Sequence, residues 1–66
     1  MYYAKGIKED FTVFDVALGD EFETLEEIRN ECEMEREASK ESSTKILEFQ
    51  IMEDDEDGIA RLIEKI

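Results

Sequence analysis

Residues 11 to 18 read Phe-Thr-Val-Phe-Asp-Val-Ala-Leu, and a short way beyond them stands Thr24-Leu-Glu-Glu27. The first stretch is β-branched and aromatic, the composition of a strand. The second is a capping box: the Thr24 hydroxyl can accept the Glu27 amide while the Glu27 carboxylate reaches back, so a helix begins there. Gly19-Asp20-Glu21 breaks the chain between the two. A strand that gives way so quickly to a capped helix points to an α+β fold, and the rest of the sequence agrees with it.

Tyr2 to Lys5 reads as a short first strand and Gly6 to Asp10 as a turn. In 11–18, Phe14, Val16 and Leu18 share one face and Phe11, Val13 and Ala17 the other, which predicts a central strand or one whose second face is covered by a partner. Asp15 among the latter set argues that this face is partly wet. The helix is expected from 24 or 25 to about 40. Leu25, Ile28 and Cys32 make its apolar stripe, but the stripe continues as Glu35, Arg36 and Ser39, so the second half should project into solvent. Residues 44–52 predict a strand with Leu47, Phe49 and Ile51 inward. Residues 59–66 fit either a short helix, through Ile59, Leu62, Ile63 and Ile66, or the return arm of a hairpin turning on Asp-Glu-Asp-Gly. The hairpin is preferred, because eight residues make a marginal helix. The expected architecture is β-β-α-β-β, a single domain over 1–66 with an antiparallel sheet of three or four strands and one helix.

Charge sets the functional question. Twenty acids stand against eight bases, a net charge of −12, yet 41% of the residues are apolar and clustered, which argues against a disordered acidic tail. Such a charge disfavours bare nucleic acid and anionic membrane and favours a basic partner. A single cysteine permits no internal disulfide. No apolar run approaches the ~18 residues of a membrane span, and the N-terminus has no signal-like hydrophobic region, so a cytoplasmic protein is expected.

Catalysis finds little support. There is no histidine, which removes Ser-His-Asp and Cys-His systems. Cys32 falls on the core-facing stripe between Glu31 and Glu33, neighbours that raise a thiol pKa rather than lower it. Residues 53–64 resemble a calcium loop, with Glu53, Asp55, Asp57, Gly58 and Glu64 at the ligand and glycine positions. Against it stand Glu at the first position, Ala60 at the eighth, Arg61 at the ninth, and a strand-like segment where the entering helix belongs. No cofactor or metal is expected.

The acidic helix is the stronger signal. Glu26, Glu27, Glu31, Glu33, Glu35, Glu37 and Glu41 average one carboxylate per roughly 4 Å at ~1.5 Å rise per residue, close to the ~3.4 Å phosphate spacing of one DNA strand. A row of fixed carboxylates at this density can enter a groove built for phosphates. The candidate partner-binding residues are therefore Glu27, Glu31, Glu33, Glu35, Glu37 and Glu41, with Met34 as an apolar anchor and Asp54, Asp55 and Asp57 as a second patch. The plainer alternative is a solvated helix face. A second functional reading is a structural module that pairs, as a homodimer, through its sheet edge or through the second face of 11–18.

The run from Phe11 to Ile28, a strand, a tight turn and a Thr-Leu-Glu-Glu helix, resembles many small phage and mobile-element proteins. Strongly acidic proteins of that kind often inhibit host or defence enzymes, sometimes as DNA mimics. The resemblance implies a non-enzymatic inhibitor that occupies the basic surface of a larger protein; it transfers no functional residue.

Overall fold

The computed structural model describes all residues from Met1 to Ile66. Five elements follow in order: β1 (Tyr2–Lys8), β2 (Val13–Asp15), α1 (Leu25–Ala38), β3 (Ile46–Asp54) and β4 (Ala60–Lys65), with 3-10 turns at Val16–Gly19 and Ser39–Glu41. The strands form one antiparallel sheet in the order β2-β1-β3-β4, with α1 packed on one face. This is the α+β, β-β-α-β-β architecture expected.

The helix starts where the capping box places it. Thr24 is extended (φ −125°, ψ 153°) and its hydroxyl accepts from the Glu27 amide at 3.2 Å. Glu26 and Glu27 in the first turn suit the helix dipole. Ile28 and Cys32 are fully buried, and Leu25 packs beside them. The core is completed by Ala4, Val16, Phe49 and Ile51. Ala4 pairs with Ile51 and Gly6 with Phe49, so these side chains share the helix-facing side of β1 and β3.

Four expectations are corrected. The 11–18 run is not a central strand. Only Val13–Asp15 pairs, and it lies at the sheet edge. Val16 drops beneath the helix into the core, and Ala17, Leu18 and Gly19 then turn the chain in left-handed backbone (φ 52°, 58° and 86°). Leu18 consequently ends 97% exposed. Tertiary burial of Val16 overrides the strand pattern.

The centre of the sheet is instead β1, which runs on through the stretch read as a turn. Gly6 permits this: Phe14, its cross-strand partner, lies so close that a Cβ on Gly6 would meet Phe14 Cζ at 2.3 Å. The real turn comes at Glu9–Thr12, where Asp10 Oδ1 accepts the Thr12 amide at 3.0 Å and Phe11 takes φ 68°. Hydrogen bonds from Thr12, its hydroxyl first and its amide second, hold the Asp10 carboxyl below its usual range.

Leu47 faces outward. Ile7 pairs with Glu48 and Lys8 with Ile46, so Leu47 is the extra residue of a bulge, and Ile46 takes its place against the core.

The second half of α1 does not project. The Arg36 guanidinium lies 5.0 Å over the Phe49 ring and Nη2 donates to the Ile66 carbonyl at 2.9 Å. Arg36 stays exposed overall, and Cys32 is the last buried residue of α1, but the guanidinium covers the Phe49 ring and ties the end of the helix to the sheet. Residues 60–65 form the return strand of the hairpin, as preferred, around a loop organised by Asp55, with Gly58 at φ 77°.

Candidate acidic interface

The helix sorts its charges by flank. At about 100° per residue, Glu27, Glu31 and Glu35 stack as one row on the side of α1 that faces β1 and β2. Glu26, Glu33 and Glu37 form a second row on the outer back. Arg29 and Arg36 fall together on the opposite flank, toward β4. Arg29 there donates through Nε and Nη2 to both Glu64 oxygens, at 2.7 and 3.0 Å, a two-pronged pair. That contact raises the Arg29 pKa, its hydrogen bond to Glu64 contributing most. Both helix arginines are thus spent on tying α1 to the last strand.

The carboxylates of the other two rows stay free of bases, with one exception: Glu37 pairs with Lys40 at 2.9 Å, both groups well exposed. Glu27, Glu33 and Glu37 are exposed, while Glu31 and Glu35 are half-buried against the sheet side. Glu35 borders a shallow depression of ≈ 270 Å³ shared with Lys8, Phe14, Ser39, Ser42 and Thr44. Met34 is 63% exposed and sits beside the Glu27–Glu31 row at helical spacing. Glu41 is separated from the rows, because the α-helix ends at Ala38 and Glu41 closes the 3-10 turn.

The second patch divides. Asp55 organises the hairpin: its Oδ1 accepts the Asp57 and Ile59 amides, both at 2.9 Å. Asp54 reaches Glu21, and this carboxyl–carboxyl hydrogen bond raises the Glu21 pKa. Asp57 is exposed. Glu53 is drawn away by Arg61 at 3.2 Å and by the Tyr2 hydroxyl, whose pKa it raises. The calcium reading of 53–64 fails on geometry. Strands flank the loop where helices are required, and no group of three or more acids, cysteines or histidines converges to hold an ion.

Sequence reading missed Glu21. Phe22 makes an isolated antiparallel bridge to Tyr2, which brings residues 21–23 to the end of the sheet where the hairpin turns. Helix entry and hairpin tip therefore share one end of the molecule and concentrate its negative charge there. Nothing local in the sequence marks that bridge; only the pairing of β1 with β3 creates it.

Cys32 is buried, and burial pushes its thiol up to about 11, against an opposing pull from Arg36. Such a thiol is not a nucleophile near neutral pH. No helix is long and apolar enough to cross a membrane. No family model, curated protein or solved structure matches the chain.

Proposed function

We propose that this chain is a non-enzymatic inhibitor, of the phage or mobile-element kind, that occupies a basic, nucleic-acid-binding surface of a larger host or defence protein. The observation that carries the reading is the sorting of charge on α1. Its arginines are turned to β4 and engaged there, so the Glu27, Glu31 and Glu35 row and the Glu26 and Glu33 positions have no basic partner of their own. Carboxylates along one row stand ~6 Å apart on a helix held by fourteen ordered residues. Preorganised charge of this kind loses little entropy when a groove of Arg and Lys closes on it. Met34 supplies an apolar contact at the margin, and Asp57 with Glu56 extends the surface at the hairpin end.

The test is capture from a cell lysate on immobilised protein at low and high salt, followed by displacement of the captured partner with duplex DNA. Partners should be basic nucleic-acid binders, released by salt and displaced by DNA. The variant Glu27→Gln, Glu31→Gln, Glu35→Gln should lose them. Captured proteins no more basic than the lysate average, or binding indifferent to salt, would end the proposal.

A further inference from the structure

Two residues at the edge of the sheet take a backbone that suits neither of them. Phe11 has φ 68° and Leu18 φ 58°, left-handed values that cost a residue with a Cβ about 1–2 kcal/mol. The fold accounts for the conformation. At Leu18 the chain turns back after burying Val16, the Asp20 amide donates to the Ala17 carbonyl at 3.1 Å, and Phe22 then reaches its bridge to Tyr2. At Phe11 the chain reverses between β1 and β2, and the Phe11 amide donates to the Lys8 carbonyl at 2.8 Å. The side chains are another matter. Glycine or asparagine meets either turn at lower cost, as Gly19 does at φ 86°. Ala17, a third left-handed residue, packs against the core, but Leu18 is 97% and Phe11 79% exposed. A lone exposed leucine is ordinary. Strained backbone that carries a large apolar side chain into solvent, at both ends of one short edge strand, points to function.

The surroundings say what covers them. The bases of β1 are engaged within the chain, Lys5 with Asp15 at 3.3 Å and Lys8 over the Phe14 ring at 5.4 Å. Glu9 and Asp10 precede Phe11, while Asp20, Glu21 and Glu23 follow Leu18; all are exposed and none is bridged by a base. The Val16–Gly19 turn touches both β1 and α1, which sets Leu18 on the flank of the Glu27, Glu31 and Glu35 row. Apolar knobs in an acidic surround match apolar sockets ringed by Arg and Lys, a protein interface with an apolar centre and a charged rim. A second copy of the chain would set these acids against one another, and an anionic membrane would meet the same repulsion.

We infer that Phe11 and Leu18 are the apolar anchors of the acidic surface, seated in sockets among the Arg and Lys residues of a basic protein partner. This role for them rests on the proposed inhibitor function, within which charge and anchor act at different steps. The carboxylates steer the encounter and set its salt dependence. The anchors, once desolvated, hold the complex and set how fast it falls apart. The same role gives a reason for leucine at a position where asparagine makes a more stable fold.

The probe is the basic protein that the low-salt capture retains, purified and passed over immobilised wild type and variants by surface plasmon resonance. Rates are read in about 0.1 M and about 0.3 M NaCl, with far-UV circular dichroism confirming the fold of each variant. Leu18→Asn and Phe11→Asn keep the left-handed turns. Each should speed dissociation about tenfold or more, while the association rate and its salt dependence stay within about twofold. Leu18→Met, which conserves volume, should restore slow dissociation. Leu47→Asn, at a leucine 53% exposed on β3, should change neither rate. Glu27→Gln, Glu31→Gln and Glu35→Gln together should slow association and flatten its salt dependence. Dissociation unchanged in either asparagine variant, or accelerated as much by Leu47→Asn, overturns the anchors and leaves the inhibitor reading standing. A partner held through Leu18 but indifferent to salt refutes the basic rim. Capture of no basic protein refutes both readings.

Discussion

Gly6→Ala tests the packing that makes β1 the centre of the sheet. A Cβ built on Gly6 lies 2.3 Å from Phe14 Cζ and 2.4 Å from Cε1, where carbon atoms ordinarily rest ~3.5–4.0 Å apart. The ring must retreat by more than about 1 Å. It is held by an edge-to-face contact with Phe49, at a 6.3 Å centroid separation and 79°, and it lies 5.4 Å beneath the Lys8 ammonium. Overpacking of this kind costs about 1–3 kcal/mol, and disturbing the aromatic pair adds about 0.5–1.5 kcal/mol. Alanine returns about 0.4–1 kcal/mol by stiffening the unfolded chain. The net expectation is a loss of about 1–3 kcal/mol, or roughly 4–8 °C in Tm for each kcal/mol in a domain of this size. Urea unfolding followed by circular dichroism measures it, within a double-mutant cycle against Phe14→Leu. Leucine lacks the atoms that clash, so in that background Gly6→Ala should cost little. A neutral Gly6→Ala, or a cycle additive to within about 0.5 kcal/mol, would show that the ring does not depend on the missing Cβ.

Leu18→Asn should stabilise the fold by about 0.5–1 kcal/mol in the same assay, because asparagine tolerates the left-handed backbone at φ 58° and an exposed leucine contributes no packing. Cys32 gives a pH signature. The buried thiol stays protonated up to about 11 while the unfolded thiol ionises near ~8.5, so unfolding releases a proton between those values. Stability should be intact below about pH 8.5 and fall by up to about 2–3 kcal/mol as pH rises toward 11; Cys32→Ala should remove that slope in pH-dependent urea titrations. Glu31→Gln relieves two like-charge contacts, with Glu27 and Glu35, and should raise stability by a few tenths of a kcal/mol for each while weakening capture of a basic partner. A gain in both, read by thermal melts and by capture, would contradict the assignment of the acid row to binding.

The helix start, the α+β class and the final hairpin were legible because each rests on contacts between near neighbours: Thr24 with Glu27, or Asp55 with Asp57 and Ile59. What was not legible rests on distant ones. The 11–18 run alternates well enough for a long strand, but Val16 is claimed by the core under α1. Arg36 reads as the polar end of an apolar stripe until Phe49 arrives beneath it. The Leu47 bulge exists only through the register of β3 against β1. The acid residues of the candidate surface could be named from spacing alone. Their division into rows, and the diversion of Arg29 to Glu64, required knowing where β4 lies.

β1 precedes the other strands in the chain and is flanked in the sheet by β2 and β3. Its pairing with β3 joins residues separated by 38 positions at Lys8–Ile46 and by 51 at Tyr2–Glu53. The helix and the β3–β4 hairpin can each begin to form on their own, but neither has a floor to rest on until that closure is made. Folding should therefore be limited by one long-range zippering event, with Ala4 and Tyr2, the β1 residues that join the core, exposed to solvent and chaperones throughout the wait.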